Sequence, residues 1–424
     1  MKELNTVDST HQHIIEIAED LLTRRYGGTQ KLLDPVALSG SGHARVFRAR
    51  VASSPFLPHR SVVLKQSPDT GDLIADAAFL REVASYQFTT SLAEEFRPGP
   101  VLLAHDLDSR LIVLSDSGDG DTFADLLNES NPDKRVQILR ALGTSLGRMH
   151  AGTAGKEEAF NILLRRLGKN DIDAHRFQDI REGLLEVGAA VGLDVIRQAG
   201  IEVPRELTEY LPTVQRRLRK GRYRAFTPFD LSPDNIIVAD RIEFLDYEWA
   251  GFRDVSFDLA CVIAGFPQYI SLQPVADDET AAFVEAWLHE VDELWPGLSN
   301  EDVLHERLTI ALVGWALSSL TVMSYGSLAS VISGHPKARE FLKISTGDFK
   351  ELGLSSSRSD DVTTNLLRPA GEVAFSDDEL LVRRDLYETF ESLGRFAASG
   401  RDGAYSVVSD FALRIAEILH DPRP

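Results

Sequence analysis

Residues 226–261 read FTPFDLSPDNIIVADRIEFLDYEWAGFRDVSFDLAC. Asp230 and Asn235 stand five residues apart, Asp246 follows eleven residues later, and Glu248 comes two after that. The residues between them are largely β-forming, so the oxygen-bearing side chains can converge on one hairpin. Phosphoryl transfer from a magnesium nucleotide needs such a set: one Asp to orient the attacking hydroxyl, and an Asn and an Asp to hold the metal. Magnesium keeps several waters and takes phosphate oxygens, so two protein ligands suffice. A plainer alternative is a turn at Pro233-Asp234-Asn235 followed by an ordinary hairpin with solvated carboxylates. These residues alone leave both open.

Upstream, the order of parts favours the first. Residues 36–50 (VALSGSGHARVFRAR) read as strand, glycine-rich turn, strand. Ser39, Gly40, Ser41, Gly42 and His43 form that turn, and glycines let a backbone bring its N–H groups close to phosphates. Ser61-Val62-Val63-Leu64-Lys65 is a further strand, followed by a helix at about 72–92 that carries Glu82. A strand lysine paired with a helix glutamate is how kinase-like folds fix an amine against the α- and β-phosphates. Residues 101–106 and 110–114 form a hairpin that runs into Ser115-Asp116-Ser117-Gly118-Asp119-Gly120. A strand leading into such a connector marks a lobe boundary. The connector either meets an adenine edge or simply links domains.

The remainder is mostly helical. Before the strand pair, helices are predicted at 10–26, near 122, and at 134–150, 158–168, 175–199 and 204–220. After it they are predicted at 279–294, 301–332 and 335–344. Arg216, Arg217, Arg219, Lys220, Arg222 and Arg224 fall in and after a helix's last turn, where the dipole favours cations. The uncharged run 308–332 is long enough to span a bilayer. Its seven Ser and Thr residues point instead to a buried helix, with a break near Gly326. Residues 353–374 read as a linker, and Ser376 with Glu379 forms a capping box opening a helix to about 394, followed by another over 404–419.

Composition narrows the function classes. The 424 residues allow two or three domains, and 43% hydrophobic with 26% charged residues is ordinary for soluble protein. A net charge of −20 argues against nucleic-acid binding, which needs a basic face. It is compatible with a cationic small molecule and equally with plain solubility. The single cysteine, Cys261, lies on an apolar run and reads as a buried thiol in a reducing cytoplasm. No signal peptide is expected from the first residues, MKELNTVDSTHQH.

With these parts in hand, the chain resembles the aminoglycoside phosphotransferase/choline kinase family. The match is widest over 245–260, LDYEWAGFRDVSFDLA, and takes in Asp230 to Asn235, Ser39 to Phe47, Lys65, Glu82 and IVLSDSGDGDTFADLL at 112–127. The resemblance implies an α+β, bilobal protein-kinase-like fold. A β-rich small lobe would occupy 1–115 and a helical large lobe 116–350, followed by a linker at 351–375 and an extra helical pair at 376–424. It implies ATP and magnesium as cofactors and a small-molecule hydroxyl acceptor, with aminoglycoside, choline-like, amino-sugar and sugar acceptors, cationic or not, left open. Asp230 would be catalytic, Asn235 and Asp246 metal ligands, and Glu248 a support behind them. Lys65, held by Glu82, would contact phosphates under the turn formed by Ser39, Gly40, Ser41, Gly42 and His43. The backbone of Ser115 and Ser117 would face adenine. Asp258 would fix the loop.

One departure stands out. Where the family has His-Gly before its catalytic Asp, and often a His two residues after it, this chain has Pro228-Phe229 and Ser232. No oxygen that does chemistry is lost, but a nucleotide-binding regulator without transferase activity stays open as the alternative. A protein kinase is disfavoured, because no Ala-Pro-Glu follows Asp246 and the interval to Asp258 is too short for an activation loop.

Overall fold

The computed structural model describes residues 2–38, 44–129, 131–170, 173–269, 273–354, 364–369 and 373–420. The N-terminal part is a five-stranded antiparallel sheet of β1 (Leu32–Leu38), β2 (Arg45–Val51), β3 (Ser61–Gln66), β4 (Leu102–Asp106) and β5 (Leu111–Ser115), in the order β1-β2-β3-β5-β4. Side chains alternate across a strand, and β5 shows what that does here. Leu111 and Val113 join Ile14, Ala18 and Leu22 of the Lys2–Tyr26 helix on one face. Ile112 and Leu114 join Val83, Tyr86 and Phe88 of the Ala78–Thr90 helix on the other. The sheet is thus packed between two helices. The inner one carries Glu82 toward the rest of the molecule.

The larger part is helical around one continuous apolar cluster. Its helices cross closely where glycine removes a side chain. A Cβ on Gly143 would stand 2.2 Å from the Phe283 carbonyl oxygen, and one on Gly192 2.0 Å from that of Leu317. The second contact seats the Ala174–Gln198 helix on Glu301–Tyr325. Glu301–Tyr325 is the one helix among the described residues long and apolar enough to cross a membrane, but 83% of its apolar window is buried inside the protein. It ends at Gly326, whose φ of +74° is left-handed, and the chain resumes as Leu328–Gly334. Sequence reading expected this buried helix and its break.

The C-terminal helices Asp377–Ala398 and Gly403–Leu419 pack on each other and on Glu301–Tyr325. The Ser376–Glu379 capping box is formed, with the Glu379 N–H 3.1 Å from Ser376 Oγ. Three of the six basic residues at 216–224 are engaged structurally: Arg224 with Glu157 at 2.7 Å, Arg219 with Glu186, and Arg217 with the Arg307 carbonyl at 3.1 Å.

Two small sheets lie between these parts. In one, β6 (Asp121–Thr122), β8 (Ile236–Val238) and β9 (Ile242–Phe244) run in the order β6-β8-β9; in the other, β7 (Arg224–Thr227) pairs with β10 (Gly251–Asp254). Asp230 sits in the loop from β7 to β8, and Asp246 follows β9 directly. Both therefore emerge beside the five-stranded sheet. Sequence reading placed the β8–β9 hairpin but not the β7–β10 pairing, whose partners are separated by the whole hairpin.

Candidate active site

Lys65 enters the site from β3, and its ammonium lies 2.7 Å from Glu82 Oε1 and 2.8 Å from Asp246 Oδ1. Burial alone would lower the pKa of Lys65, but Glu82 and then Asp246 outweigh it and hold the amine protonated. Burial lifts the carboxyl of Glu82 to about 7, with Lys65 drawing it back and Asp246 pushing it further up. The amine keeps its charge because it answers two carboxylates at once.

Asp246 is set by its backbone. Its φ is +57°, unusual for a residue with a side chain. Its N–H donates to Tyr86 Oη at 3.2 Å. Tyr86 stands four residues after Glu82 on the same helix face, so one helix positions both the partner of Lys65 and the bend at Asp246. Asn235 is placed by the hairpin: the Leu245 N–H donates to its carbonyl at 2.8 Å, which puts it across from the residue preceding Asp246.

Asp230 is partly open to water yet surrounded by protein, and its Oδ1 accepts the Ser232 N–H at 3.3 Å. Its pKa is raised to about 7 by burial, then by the charges of Asp246 and Glu248. Burial and Asp246 also raise Glu248, against the pull of Arg181 and Lys65. Arg181 donates to the Glu248 carbonyl at 3.0 Å, and its guanidinium lies 3.9 Å from the Trp249 ring centroid. Asp230, Asp246, Glu248 and Glu82 thus face two cations, Lys65 and Arg181.

The loop before Asp230 is anchored from behind. Phe229 has φ +67°, a conformation that glycine adopts freely and a bulky residue rarely does. It is held there by stacking on Trp315, with centroids 4.9 Å apart and an interplanar angle of 26°. The Arg253 guanidinium lies 4.7 Å from the same ring. Asp258 is fully buried, accepts from His150 Nε2 at 3.1 Å and lies against the Phe229 backbone N–H. Trp287 Nε1 donates to His150 Nδ1 at 2.9 Å, which assigns the ring proton to Nε2. His150 itself comes from the Pro132–Thr153 helix.

The connector after β5 is stapled on both sides. Arg48 of β2 reaches Asp116 at 3.0 Å, and Ser117 Oγ donates to Glu243 of β9. Ser115 gives its N–H to the Val101 carbonyl at 2.9 Å, so it presents no free N–H to an adenine edge. Ser39, Gly40, Ser41, Gly42 and His43 lie outside the described residues; β1 and β2 on either side pair with Leu38 opposite Val46.

The structure therefore brings Lys65, Glu82, Asp246, Glu248 and Asp230 to one cleft, with Asn235 beside them. Sequence reading missed Tyr86, Arg181, His150 and Trp315. Only Tyr86 carried a signal, its four-residue spacing from Glu82. No group of three or more His, Cys, Asp or Glu side chains placed to hold a metal occurs among the described residues. An Asn–Asp pair with hard oxygens is a smaller set, and it suits magnesium, whose shell phosphates and waters complete. The excess of carboxylates over cations that raises Asp230 is what a divalent ion would balance.

A model of the phosphotransferase enzyme family matches residues 38–298. No curated protein matches the chain. Among solved structures, a choline kinase from Cryptosporidium parvum is 12% identical at a TM-score of 0.41, over 80% of this chain and 95% of that one. A choline kinase from Streptococcus pneumoniae is 12% identical at 0.41, over 78% and 99%. A putative fructosamine-3-kinase from Thermobifida fusca is 14% identical at 0.39, over 77% and 98%.

Proposed function

The chain belongs to the phosphotransferase enzyme family, and we propose that it transfers the γ-phosphoryl group of ATP to a hydroxyl of a small molecule with magnesium. The observation that carries this is the meeting of Lys65, Glu82 and Asp246 within 2.8 Å beside Asp230. Asn235 and Asp246 would hold a magnesium ion, which would supply charge neutralisation for the phosphates. Lys65 faces the α- and β-phosphates, its direction fixed by Glu82. Asp230 orients the acceptor hydroxyl and takes its proton, a task suited to a base near neutral pH. Glu248 and Arg181 shape the field behind Asp246 without needing to touch substrate. Catalysis of this kind is mostly positioning and charge neutralisation.

The alternative, a nucleotide-binding regulator, rests on Pro228-Phe229 standing before Asp230. Phe229 keeps a left-handed backbone and leaves Asp230 at the cleft, which supports the enzyme. The test is Asp230→Asn, assayed for ADP release over a panel of alcohols, amines and sugars. Turnover should fall by about 10²–10⁴, while Mg·ATP still raises the melting temperature. Wild-type turnover in that variant would remove Asp230 from the mechanism. Transfer lacking in the wild-type protein across the whole panel, with the thermal shift intact, would favour the regulator.

A further inference from the structure

A cavity of about 280 Å³ opens on Asp230. It is at the small end of ligand pockets. Phe229, Phe257, Trp315 and Trp249 line it, with aliphatic side chains such as Val214 and Val322. Among the described residues, Asp230 is its only charged lining residue. A cation entering such a wall would lose its hydration and gain only that one carboxylate, which is itself assigned to the hydroxyl.

Aromatic walls can also cage a cation through their ring faces. Here those faces are largely engaged. Phe229 and Trp315 are stacked on each other, Arg181 lies 3.9 Å from the Trp249 centroid, and Arg253 lies 4.7 Å from that of Phe229. The sequence leaves a cationic acceptor open; the apolar lining, with Asp230 as its one charged group among the described residues, favours an uncharged body.

One lining residue carries an unpaired polar atom. Ser319 is 1% exposed, and its Oγ has no hydrogen-bond partner among the described residues. Buried hydroxyls nearly always have one.

Resting on the phosphotransferase reading, we propose that the acceptor is a compact, uncharged, largely apolar alcohol, its body among Phe229, Phe257 and Trp315, its hydroxyl at Asp230 and a second polar atom at Ser319. In the reaction the acceptor oxygen forms a bond to the γ-phosphorus of ATP, and the bond from that phosphorus to the β,γ-bridging oxygen breaks. ADP leaves with the electron pair, and the hydroxyl proton passes to the Asp230 carboxylate.

The test uses the full chain and two probe pairs: uncharged 2-phenylethanol and cyclohexane-1,4-diol against cationic choline and kanamycin. ADP release measures transfer. Tryptophan fluorescence, with Trp249 and Trp315 in the wall, measures binding without nucleotide. Uncharged alcohols should be preferred by about tenfold or more in kcat/KM and should change the fluorescence. Ser319→Leu, which fills the cavity, should abolish that change while Mg·ATP still shifts its melting temperature. Ser319→Ala, a milder change, should weaken the diol more than 2-phenylethanol. Equal or better use of choline or kanamycin overturns the inference and leaves the phosphotransferase standing. Fluorescence changes from the uncharged pair that Ser319→Leu removes, without transfer to any acceptor, would keep the pocket and sink the phosphotransferase. If the uncharged pair neither binds nor accepts phosphate, the pocket assignment is overturned.

Discussion

Lys65 Nζ and Asp246 Oδ1 lie 2.8 Å apart although 181 residues separate them in sequence. One residue belongs to the five-stranded sheet, the other to the turn after a hairpin on the helical part. Their contact sets the width of the cleft, and Glu82 holds the amine from the other side. Geometry of this kind is worth little as an exposed ion pair, but Glu82 is buried and Lys65 nearly so.

The first prediction concerns that amine. Lys65→Met keeps the length of the stem and removes the charge, leaving Glu82 and Asp246 facing each other. Glu82, already raised to about 7, should take a proton and limit the damage to the fold. Charge-assisted hydrogen bonds contribute about 1.5–3 kcal/mol, so kcat/KM for ATP should fall roughly 10- to 100-fold. Initial rates against ATP concentration check this; an unchanged value would place the phosphates elsewhere.

The second follows from Asp230. Its folded pKa of about 7 lies above the ordinary 3.8, so between those values the folded state binds the proton that the unfolded state has released. Stability therefore falls as pH rises through this window. Asp230→Asn removes the buried charge and should be more stable than wild type at pH 8 by about 1–2 kcal/mol, water in the open cleft reducing the full effect. At pH 4 the two should melt alike. Thermal melts at both pH values test it, and a variant no more stable at pH 8 would mean that the carboxylate is not isolated. Such a gain alongside lost turnover is the usual exchange at an active site.

Phe229→Gly sets two effects against each other. Glycine relieves a left-handed backbone that costs a side-chain residue on the order of 1 kcal/mol, but it deletes a ring packed on Trp315. Losing a buried Phe side chain costs about 3–5 kcal/mol. The ring should win, for a net loss of roughly 2–4 kcal/mol in denaturant unfolding. A stabilised variant would show that the backbone strain dominates.

The sequence made most of this arrangement legible for a physical reason. Lys65, Glu82, Asp230, Asn235 and Asp246 each sit at the end of a strand or on a helix whose pattern is local, so their order survives inspection of the bare chain. What stayed hidden is carried by distant packing. His150 reaches Asp258 over 108 residues, and Arg181 reaches the Glu248 carbonyl and the Trp249 ring from a helix 67 residues away. Trp315 looked like one more apolar residue in a long buried helix. Nothing in its neighbours announces that Phe229 stacks on it, and the cavity beside Asp230 exists only once that helix is in place.

The last prediction tests a residue beyond the family match. Asp385, on the Asp377–Ala398 helix, accepts the Gln268 N–H at 2.9 Å. Gln268 lines the cavity beside Asp230 and has a left-handed φ of +74°, as Phe266 does at +61°. Two such residues in three need an external hold, and the carboxyl supplies one. Its pKa of about 7, raised by burial and drawn back by that N–H, reflects how little water reaches it. A single hydrogen bond contributes about 0.5–1.5 kcal/mol. Asp385→Ala should therefore raise KM for the acceptor roughly 2- to 12-fold and leave KM for ATP unchanged. Asp385→Asn, whose amide oxygen still accepts, should stay near wild type. If instead both Michaelis constants moved together, or neither did, the helical pair would be bracing the fold and not the pocket wall.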